Sequence, residues 1–519
     1  MRAGAGRLRA VSEPRPAPPS ALVLSEAERQ LDRARRTVGL FAGPALLLTL
    51  LLFPVPAPTP EAARLAAVLA LVLVWWMTEA VPIPVTALLG PALAVVLGVG
   101  PAGELFAPFG DPIVFLFLGS FVLAEAIASS GLDRRVALAV LARPAVAASP
   151  GRLLAAFVAI TAGISAWLNN TATTAIVYPI ALSILAALAR NAGADAWRSR
   201  WGTALLLAVA YAASIGGIAT PVGTAPNLIT LGQLRAIAQV EIPFFHFLVI
   251  ATPTAVVMLL VLIGWLRLTV PADVAAPGGA RDLAAERAAL GPLSRRERNV
   301  LAAFLLTVVA WVGPGLLAVA LGPDAPLARA VQRALPEPVV AVLGAGLLFL
   351  LPVDWRVRRF TLEWREAARI DWGTLLLFGG GLALGGAMFR TGLAAAIGEG
   401  LVAWTGSDSL VALTFLFAWV ALVLTEATSN TATATMLAPL AIASAQAAGV
   451  SPIPPAIAMG LCASMAFMLP VSTPPNAIVY ASGRVPITTM LRHGLVMDLA
   501  SALVVPGMVL MTCRLLGFA

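Results

Sequence analysis

The chain has 519 residues, of which 60% are apolar and only 12% are charged, and its mean hydropathy is +0.91. Soluble globular proteins carry about 45–50% apolar and about 25% charged residues. The composition therefore excludes a soluble enzyme, a nucleic-acid-binding domain, a fibrous protein and a disordered chain. The net charge is +8, but the 34 basic residues are all arginines that cluster between apolar stretches, which indicates membrane orientation and not nucleic-acid binding.

Apolar stretches typical of membrane helices begin near residue 38, after a tail rich in Arg, Pro and Ala. The tail, 1–37, has no sustained apolar period, so we expect it to be disordered and cytoplasmic. A segment at 133–148 alternates arginine with apolar residues, which is typical of an amphipathic helix on the membrane surface. The apolar stretches are 38–57, 62–78, 81–100, 111–130, 152–168, 171–189, 201–218, 228–240, 244–266, 299–321, 337–353, 372–389, 410–426, 431–447, 455–470 and 495–516. This pattern predicts an all-α polytopic membrane protein.

The positions of the arginines predict which loops face the cytoplasm. The tail and the loops 267–298 and 354–371 are rich in arginine, and two apolar spans separate these two loops, as a return to the same side requires. We therefore expect a cytoplasmic N-terminus and an outside C-terminus in the cell inner (plasma) membrane.

Two pairs of apolar stretches, at 152–189 and 410–447, have polar residues at their centres, where a full crossing needs apolar side chains. The centres read Asn169-Asn170-Thr171 and Ser429-Asn430-Thr431. Arginines flank both ends of the first pair and neither end of the second. Non-helical backbone at membrane depth is tolerated where protein buries it, so the pairs predict two re-entrant hairpins that enter from opposite sides.

An internal repeat supports this interpretation. Three stretches occur in the same order in both halves of the chain, two of them at an offset of 260 residues and the third at an offset of 249. The matching stretches are Asp111–Gly119 with Asp371–Gly379, Asn170–Thr173 with Asn430–Thr433, and Pro221–Asn227 with Pro470–Asn476. Repeated motifs of opposite predicted orientation are typical of an inverted-repeat transporter.

The repeat divides the chain into two halves joined by a cytoplasmic loop, 267–298. The first half, 38–266, contains the hairpin 152–189 and a broken helix at 201–240. The second half, 299–519, contains the hairpin 410–447 and a broken helix at 455–489. Besides the hairpins, about 11 transmembrane helices are expected.

The sequence offers little to support an enzyme or an ATP-driven pump. It contains no HExxH, P-loop or GxSxG motif, and its two histidines, His246 and His493, lie in different segments. Its cysteines, Cys462 and Cys513, are far apart in apolar stretches, so no disulfide framework is predicted. A secondary transporter remains, and an intramembrane enzyme is the remote alternative.

Each half supplies a hairpin tip that reads Asn-Thr and a broken segment that reads Thr-x-Pro-Asn. Proline and small polar residues interrupt a helix and leave backbone amide and carbonyl groups free. Free carbonyls suit Na⁺, and the N-termini of half-helices suit a carboxylate. An asparagine side chain both accepts and donates, so it can face a cation and an anion together. Four related motifs favour a binding site over simple capping and packing.

None of these motifs contains an arginine, and Arg484 lies eight residues after Asn476. A dianion is held poorly without positive charge, so we expect cotransport with Na⁺ or H⁺, whose charge completes the site. Three acidic residues at membrane depth are further candidates. Glu79 is interpreted as an interfacial helix end, whereas Glu125 and Glu426 are either structural partners or proton-coupling sites.

These motifs resemble those of the divalent anion:sodium symporter (INDY-type) family, over about residues 40–517. The family's Ser-Asn-Thr tip is matched fully by Ser429-Asn430-Thr431 and at two of three positions by Asn169-Asn170-Thr171. Its Pro-x-x-Thr-Pro-Pro-Asn segment corresponds to Pro470–Asn476, and its Trp-Trp-x-Thr-Glu-Ala-x-Pro string to Trp75–Pro82. The asparagine at position 169, where the family has serine, is the clearest departure.

The resemblance implies a homodimer in which a mobile transport domain moves against a scaffold domain in an elevator motion. It implies substrate contacts at Asn170, Thr171, Thr224, Ser429, Asn430, Thr431 and Thr473. It implies a first sodium site at Ser165, Asn169, Asn170 and Gly223, and a second at Thr425, Thr428, Asn430, Ser472 and Pro474.

We therefore expect Na⁺-coupled symport of small divalent anions, best represented by the C4-dicarboxylates succinate, malate and fumarate. Sulfate, citrate or another oxyanion fits the same architecture, and Na⁺/H⁺ antiport through Glu125 or Glu426 is the second alternative. The expected partners are the dianion, the coupling Na⁺, the lipid bilayer and a second copy of the chain. We expect no organic cofactor and no nucleic acid.

Overall fold

A computed structural model describes residues 26–147, 149–192, 199–270, 280–406 and 408–518. Within these residues, the first half contains twelve α-helices. They are α1 (Glu26–Leu52), α2 (Pro60–Thr78), α3 (Ile83–Val96), α4 (Ala102–Phe106), α5 (Pro112–Ser130), α6 (Leu132–Leu141), α7 (Pro144–Ala147), α8 (Pro150–Ser165), α9 (Asn170–Ala192), α10 (Arg200–Gly217), α11 (Ala225–Ala238) and α12 (Phe244–Thr269).

A short helix, α13 (Ala280–Ala289), connects the halves. Among the described residues, the second half contains eleven α-helices and a two-stranded antiparallel hairpin. These elements are α14 (Arg295–Leu321), α15 (Pro326–Ala334), α16 (Glu337–Leu350), β1 (Pro352–Asp354), β2 (Arg359–Phe360), α17 (Trp364–Ala367), α18 (Trp372–Arg390), α19 (Leu393–Thr405), α20 (Leu410–Ala427), α21 (Asn430–Ala447), α22 (Ile453–Cys462), α23 (Pro474–Tyr480) and α24 (Ile487–Leu515).

The prediction of an all-α polytopic membrane protein is confirmed. Among the described residues, nine helices are long and apolar enough to cross a membrane, or ten if α15 and α16, which meet at 56°, form one bent span. This is below the expected number of about 11, because some predicted stretches form shorter helices. The stretch 81–100, for example, gives only the 14 residues of α3.

Two expectations about local structure were wrong. Residues 26–37, assigned to the disordered tail, form the first turns of α1. In this segment Asp32 forms ion pairs with Arg35 and Arg36, at 2.9 Å each. Such pairs, three and four residues apart, support a polar helix that has no apolar period. Residues 1–25 lie outside the described part. The predicted surface helix 133–148 is two helices, α6 and α7, because a proline begins α7 after a break at residues 142–143.

The repeated Asp in the two halves has a structural explanation. Asp111 caps the N-terminus of α5 by accepting a hydrogen bond from the Ile113 amide at 2.9 Å. Asp371 caps α18 in the same manner, through the Thr374 amide at 3.1 Å. An N-cap carboxylate satisfies an amide that has no partner within the helix, so the shared Asp marks the same helix start in each half.

The helices that carry the motifs pack in corresponding ways in the two halves. The pair α8 and α9 packs against α10, and the pair α20 and α21 packs against α22. The halves also interlock, since α10 contacts α23, and α11 contacts both α21 and α22. Each hairpin tip therefore lies against a broken helix of its own half, and the two broken helices meet.

Candidate functional site

The first tip is the four-residue turn 166–169, between the end of α8 and the start of α9. Its geometry depends on Ser165, whose fully buried hydroxyl lies 2.8 Å from Asn170 Oδ1 and 2.7 Å from the Ala213 carbonyl oxygen. The Asn170 side chain also covers Gly217, where a Cβ atom would collide with Oδ1. The tip is thus fixed to the C-terminal end of α10.

The second tip repeats this arrangement atom for atom. The buried hydroxyl of Thr425 lies 2.7 Å from Asn430 Oδ1 and 2.6 Å from the Ala463 carbonyl oxygen. Thr425 and Asn430 are the residues 260 positions after Ser165 and Asn170. The repeated sequence therefore encodes a repeated cluster of oxygen atoms.

Both clusters contain more acceptors than protons. Each hydroxyl carries one hydrogen but faces two acceptor oxygens, an amide oxygen and a backbone carbonyl. A cation such as Na⁺, which binds oxygen ligands, is suited to such a surplus of lone pairs in a buried place. No group of three or more His, Cys, Asp or Glu side chains that could hold a metal is found in the described ranges. The clusters thus suit an ion held by neutral oxygens.

The breaks after α10 and α22 are stabilised by one asparagine each. Asn227 Nδ2 donates to the carbonyl oxygens of Gly217 at 3.3 Å and Thr220 at 2.7 Å. Asn476 Nδ2 donates to those of Ala466 and Leu469, both at 3.1 Å, so it reaches the residues ten and seven positions earlier, as Asn227 does. These amides occupy carbonyls that have lost their helical partners, and so they keep each break in one shape.

Gly223 lies at the point where the first tip and the first break come closest. A Cβ atom at this position would be 2.5 Å from the Gly217 carbonyl oxygen and 2.9 Å from those of Ser165 and Ala166. Only a glycine leaves this space free for the carbonyls to converge. The predicted first sodium residues Ser165, Asn170 and Gly223 are therefore brought together.

The two breaks meet through Thr224 and Ser464, whose hydroxyl oxygens are 3.4 Å apart. Thr224 is the N-cap of α11 and Thr473 the N-cap of α23. The N-termini of α9 and α21 begin at the two tips. Each helix start carries partial positive charge, so α9, α21 and α11 offer an anion favourable electrostatics without a cationic side chain.

Several predicted residues make other contacts. Asn169 is exposed, and its Oδ1 accepts from the Ala172 amide at 2.7 Å, so it acts as a cap for α9. The hydroxyl of Thr428 is 2.8 Å from the Leu424 carbonyl oxygen and 2.8 Å from Thr433 Oγ1. Thr171, Ser429 and Thr431 lie at the tips, and Pro474 is the first residue of α23. All four of these predicted residues are partly or fully exposed.

The halves differ at the position before each tip. Glu426 is buried, and its carboxylate accepts from the amides of Phe467 at 2.6 Å, Met468 at 3.0 Å and Leu469 at 3.2 Å. It also accepts from the Ser472 hydroxyl at 2.6 Å. These contacts show that Glu426 holds the second break. In the first half Thr220 takes a comparable role, since it bonds the Ala166 carbonyl and the Gly223 amide.

The other two acidic candidates lie away from the tips. Glu79 follows the end of α2 with a left-handed backbone (φ 49°), and its carboxylate lies 3.8 Å from Arg35 and 3.5 Å from Arg36. This placement agrees with its interpretation as a helix end. Glu125 lies on α5, where it is partly buried.

Sequence reasoning missed four groups of the site: the carbonyls of Ala213 and Ala463 and the hydroxyls of Thr220 and Ser464. A backbone carbonyl has no residue-type signal. Both hydroxyl residues lie outside the repeated motifs, so the repeat could not identify them.

A fold of interlocked, broken helices with a polar cluster in each half defines a helical, multi-pass membrane transporter. The chain belongs to the family described as the sodium:sulfate symporter transmembrane region, the divalent anion:sodium symporters, whose sequence model matches residues 34–518.

Curated relatives agree with this assignment, and a solved structure has a similar fold. The chain is 35% identical over 475 residues to the sodium-dependent dicarboxylate transporter SdcS of Staphylococcus saprophyticus, which covers 90% of this chain and 89% of that protein. It is 34% identical over 488 residues to SdcS of Staphylococcus aureus, with coverages of 91% and 90%. A crystal structure of the Alcanivorax borkumensis YdaH transporter matches the fold with a TM-score of 0.50 and 16% identity, over 94% of this chain and 98% of that one.

Proposed function

We propose that the protein is a Na⁺-coupled symporter of small divalent anions, and that C4-dicarboxylates are its substrates. The observation that carries this proposal is the pair of equivalent oxygen clusters at the tips, Ser165 with Asn170 and Thr425 with Asn430. The names of the curated relatives, which are sodium-dependent dicarboxylate transporters, support the choice of ion and substrate.

In this proposal each oxygen cluster binds one Na⁺. The first site uses Ser165, Asn170 and Gly223, with the carbonyls beside them, and its predicted ligand Asn169 contributes by shaping the tip. The second site uses the Thr425–Asn430 cluster. Its predicted members Thr428, Ser472 and Pro474 lie next to this cluster in sequence or across the break, and Thr428 and Ser472 fix its shape through their hydrogen bonds.

The dianion lies between the tips, where positive charge comes from the two ions and from helix starts. Its proposed contacts are Asn170, Thr171, Thr224, Ser429, Asn430, Thr431 and Thr473. Because the tip motifs contain no arginine, the dianion binds well only after Na⁺ has neutralised part of its charge. The same requirement couples the two fluxes, since the partly loaded forms do not cross, whereas the fully loaded and the empty carrier do.

We further propose that the protein acts as a homodimer in the cell membrane, with its N-terminus in the cytoplasm. The tips and the broken helices move together past the rest of each protomer in an elevator motion. The interlocking of α10 with α23 and of α11 with α21 supports this, because it makes the two binding elements one packed unit.

Uptake competition in proteoliposomes tests the substrate class. With an inward Na⁺ gradient, unlabelled succinate, malate or fumarate should suppress uptake of radiolabelled succinate more strongly than sulfate or citrate does. The family description favours sulfate as the second candidate. If sulfate suppresses uptake at a lower concentration than succinate does, sulfate and not a dicarboxylate is the substrate. Uptake that requires internal succinate instead of Na⁺ would indicate an exchanger.

A further inference from the structure

A tyrosine of the first half holds the second break, the irregular stretch between α22 and α23. Tyr211 lies on α10 and is fully buried. Its hydroxyl oxygen is 2.9 Å from the Phe467 carbonyl oxygen and 3.2 Å from that of Met490. Met490 lies inside α24, where a carbonyl accepts from the amide four residues later, whereas Phe467 lies outside any helix. The hydroxyl proton therefore serves the Phe467 carbonyl, which has no helical partner.

The backbone of Phe467 is held on both sides. Its amide donates to the Glu426 carboxylate at 2.6 Å, and its carbonyl accepts from Tyr211. Its ring also packs edge-on against the Tyr211 ring, with the two centroids 5.0 Å apart. On α24, a Cβ atom at Gly494 would be 2.4 Å from the same carbonyl oxygen, so a glycine is needed there. Because Phe467 and Tyr211 are both fully buried, solvent water does not reach this hydrogen bond to replace the hydroxyl.

Helix α10 takes part in both oxygen clusters. The Ala213 carbonyl, two residues after Tyr211, accepts from Ser165 in the first cluster at 2.7 Å. The Ala463 carbonyl of the second cluster lies at the start of the second break, four residues before Phe467. The helix thus reaches the first cluster directly and the second through its tyrosine. Helix α22 contains no tyrosine, so the second half does not return this contact.

We propose that Tyr211 is a positioning residue for the second Na⁺ cluster. By holding the Phe467 carbonyl, it keeps residues 463–469 in the conformation that presents the Ala463 carbonyl to the ion. This rests on the proposed function, because it requires Na⁺ to bind at Thr425 and Asn430. Without the hydroxyl the break adopts other conformations, and the apparent Na⁺ affinity falls with the fraction of molecules that stay competent. A competent fraction of about one fifth raises the half-saturating Na⁺ concentration about fivefold.

A melting experiment on the purified full-length protein tests this role without substrate. Tyr211→Phe removes the hydroxyl and keeps the ring against Phe467. The melting temperature is measured against Na⁺ concentration, with choline keeping the ionic strength constant. Tyr211→Phe should need about fivefold more Na⁺ than wild type for half of the maximal rise. The matched control is Tyr178→Phe, because the Tyr178 hydroxyl bonds Ser482 and not the break; its Na⁺ dependence should equal that of wild type.

Initial rates of succinate uptake separate positioning from a loss of active protein. In Tyr211→Phe the half-saturating Na⁺ concentration should rise about fivefold, while the maximal rate at saturating Na⁺ should stay above about half that of wild type, because excess Na⁺ restores the competent conformation. Gly494→Ala tests the same carbonyl independently of Tyr211. Its Cβ atom would displace the Phe467 carbonyl from the α24 side, so it should also raise the half-saturating Na⁺ concentration.

A purely structural role would lower the melting temperature of Tyr211→Phe equally at every Na⁺ concentration and leave the half-saturating concentration unchanged, and that result would overturn the proposal. An equal rise in Tyr178→Phe would overturn it too, since the loss of any tyrosine hydrogen bond would then suffice. If wild type itself shows neither a Na⁺-dependent melting temperature nor Na⁺-dependent uptake, the proposed function is refuted and the positioning role with it. A Na⁺ response that is identical in wild type and Tyr211→Phe refutes the positioning role alone.

Discussion

Replacing Thr425 by valine tests whether the repeated oxygen cluster binds Na⁺. Thr425→Val keeps the shape of the side chain but removes the hydroxyl that lies 2.7 Å from Asn430 Oδ1 and 2.6 Å from the Ala463 carbonyl oxygen. A hydrogen bond of this kind contributes about 0.5–1.5 kcal/mol net. Loss of a comparable free energy from ion binding raises the half-saturating Na⁺ concentration about tenfold, which corresponds to about 1.4 kcal/mol.

The assay is the initial rate of succinate uptake as a function of Na⁺ concentration, with choline keeping the ionic strength constant. The matched control is Thr414→Val in the same helix, because Thr414 is equally buried and its hydroxyl bonds only the Leu410 carbonyl, at 2.7 Å. The control should leave the half-saturating Na⁺ concentration unchanged. An unchanged value in Thr425→Val, or the same rise in both variants, would refute the assignment of the cluster to Na⁺.

Three further predictions concern the two tips and helix α6. Asn430→Ala should abolish Na⁺-driven uptake while the protein still elutes as a folded species. Glu79→Gln should reduce uptake far less. A greater loss of uptake in Glu79→Gln would contradict the proposed site. Gly223→Ala should also abolish uptake, because the added Cβ atom would enter the cluster of carbonyl oxygens. Gly163→Ala should not, because there is open space around Gly163 for a Cβ atom. Equal uptake by both variants would argue against a site at the first tip. Burial raises the pKa of Asp133 from 3.8 to about 6, so the folded protein keeps a proton that the unfolded chain releases between these values. The contribution of Asp133 to the free energy of unfolding should therefore be greatest below about pH 4 and fall by about 3 kcal/mol as the pH rises from about 4 to about 6. Melting curves of Asp133→Asn should lack this fall, and a pH profile equal to that of wild type would disprove its origin in Asp133.

Much of the fold follows from the sequence because its signals are local. Long apolar stretches and prolines at breaks each act on their own helix, so the sequence alone identified them. The repeat also singled out Asp111 and Asp371, but only the structure shows that they cap helices. The residues 26–37 were misassigned for the opposite reason. Their helix is supported by ion pairs around Asp32 and by continuation into the apolar part of α1, and apolar periodicity detects neither.

The candidate site was predictable where side chains of repeated residue types form it, and not where backbone carbonyls form it. The family resemblance implies Ser165, Asn170, Thr425 and Asn430 as site residues, and in the structure Ser165 contacts Asn170 and Thr425 contacts Asn430. Asn169 illustrates the limit of this reasoning, because its motif position suggests an ion ligand but its side chain caps α9. A side-chain amide can serve either purpose, and only the local backbone decides between them.

The sequence also placed Glu426 correctly beside the second tip without revealing its role. Four donors converge on its carboxylate from residues 467–472, more than 40 positions later in the chain. Such a contact depends on how the broken helix folds back.

Concentrative uptake of radiolabelled succinate tests the central claim most directly. Proteoliposomes containing the purified protein receive an inward Na⁺ gradient, or an equal K⁺ gradient as control. The proposed mechanism predicts accumulation above the external concentration with Na⁺ and none with K⁺. Equal uptake with both cations, or no uptake with Na⁺, would contradict Na⁺-coupled dicarboxylate symport.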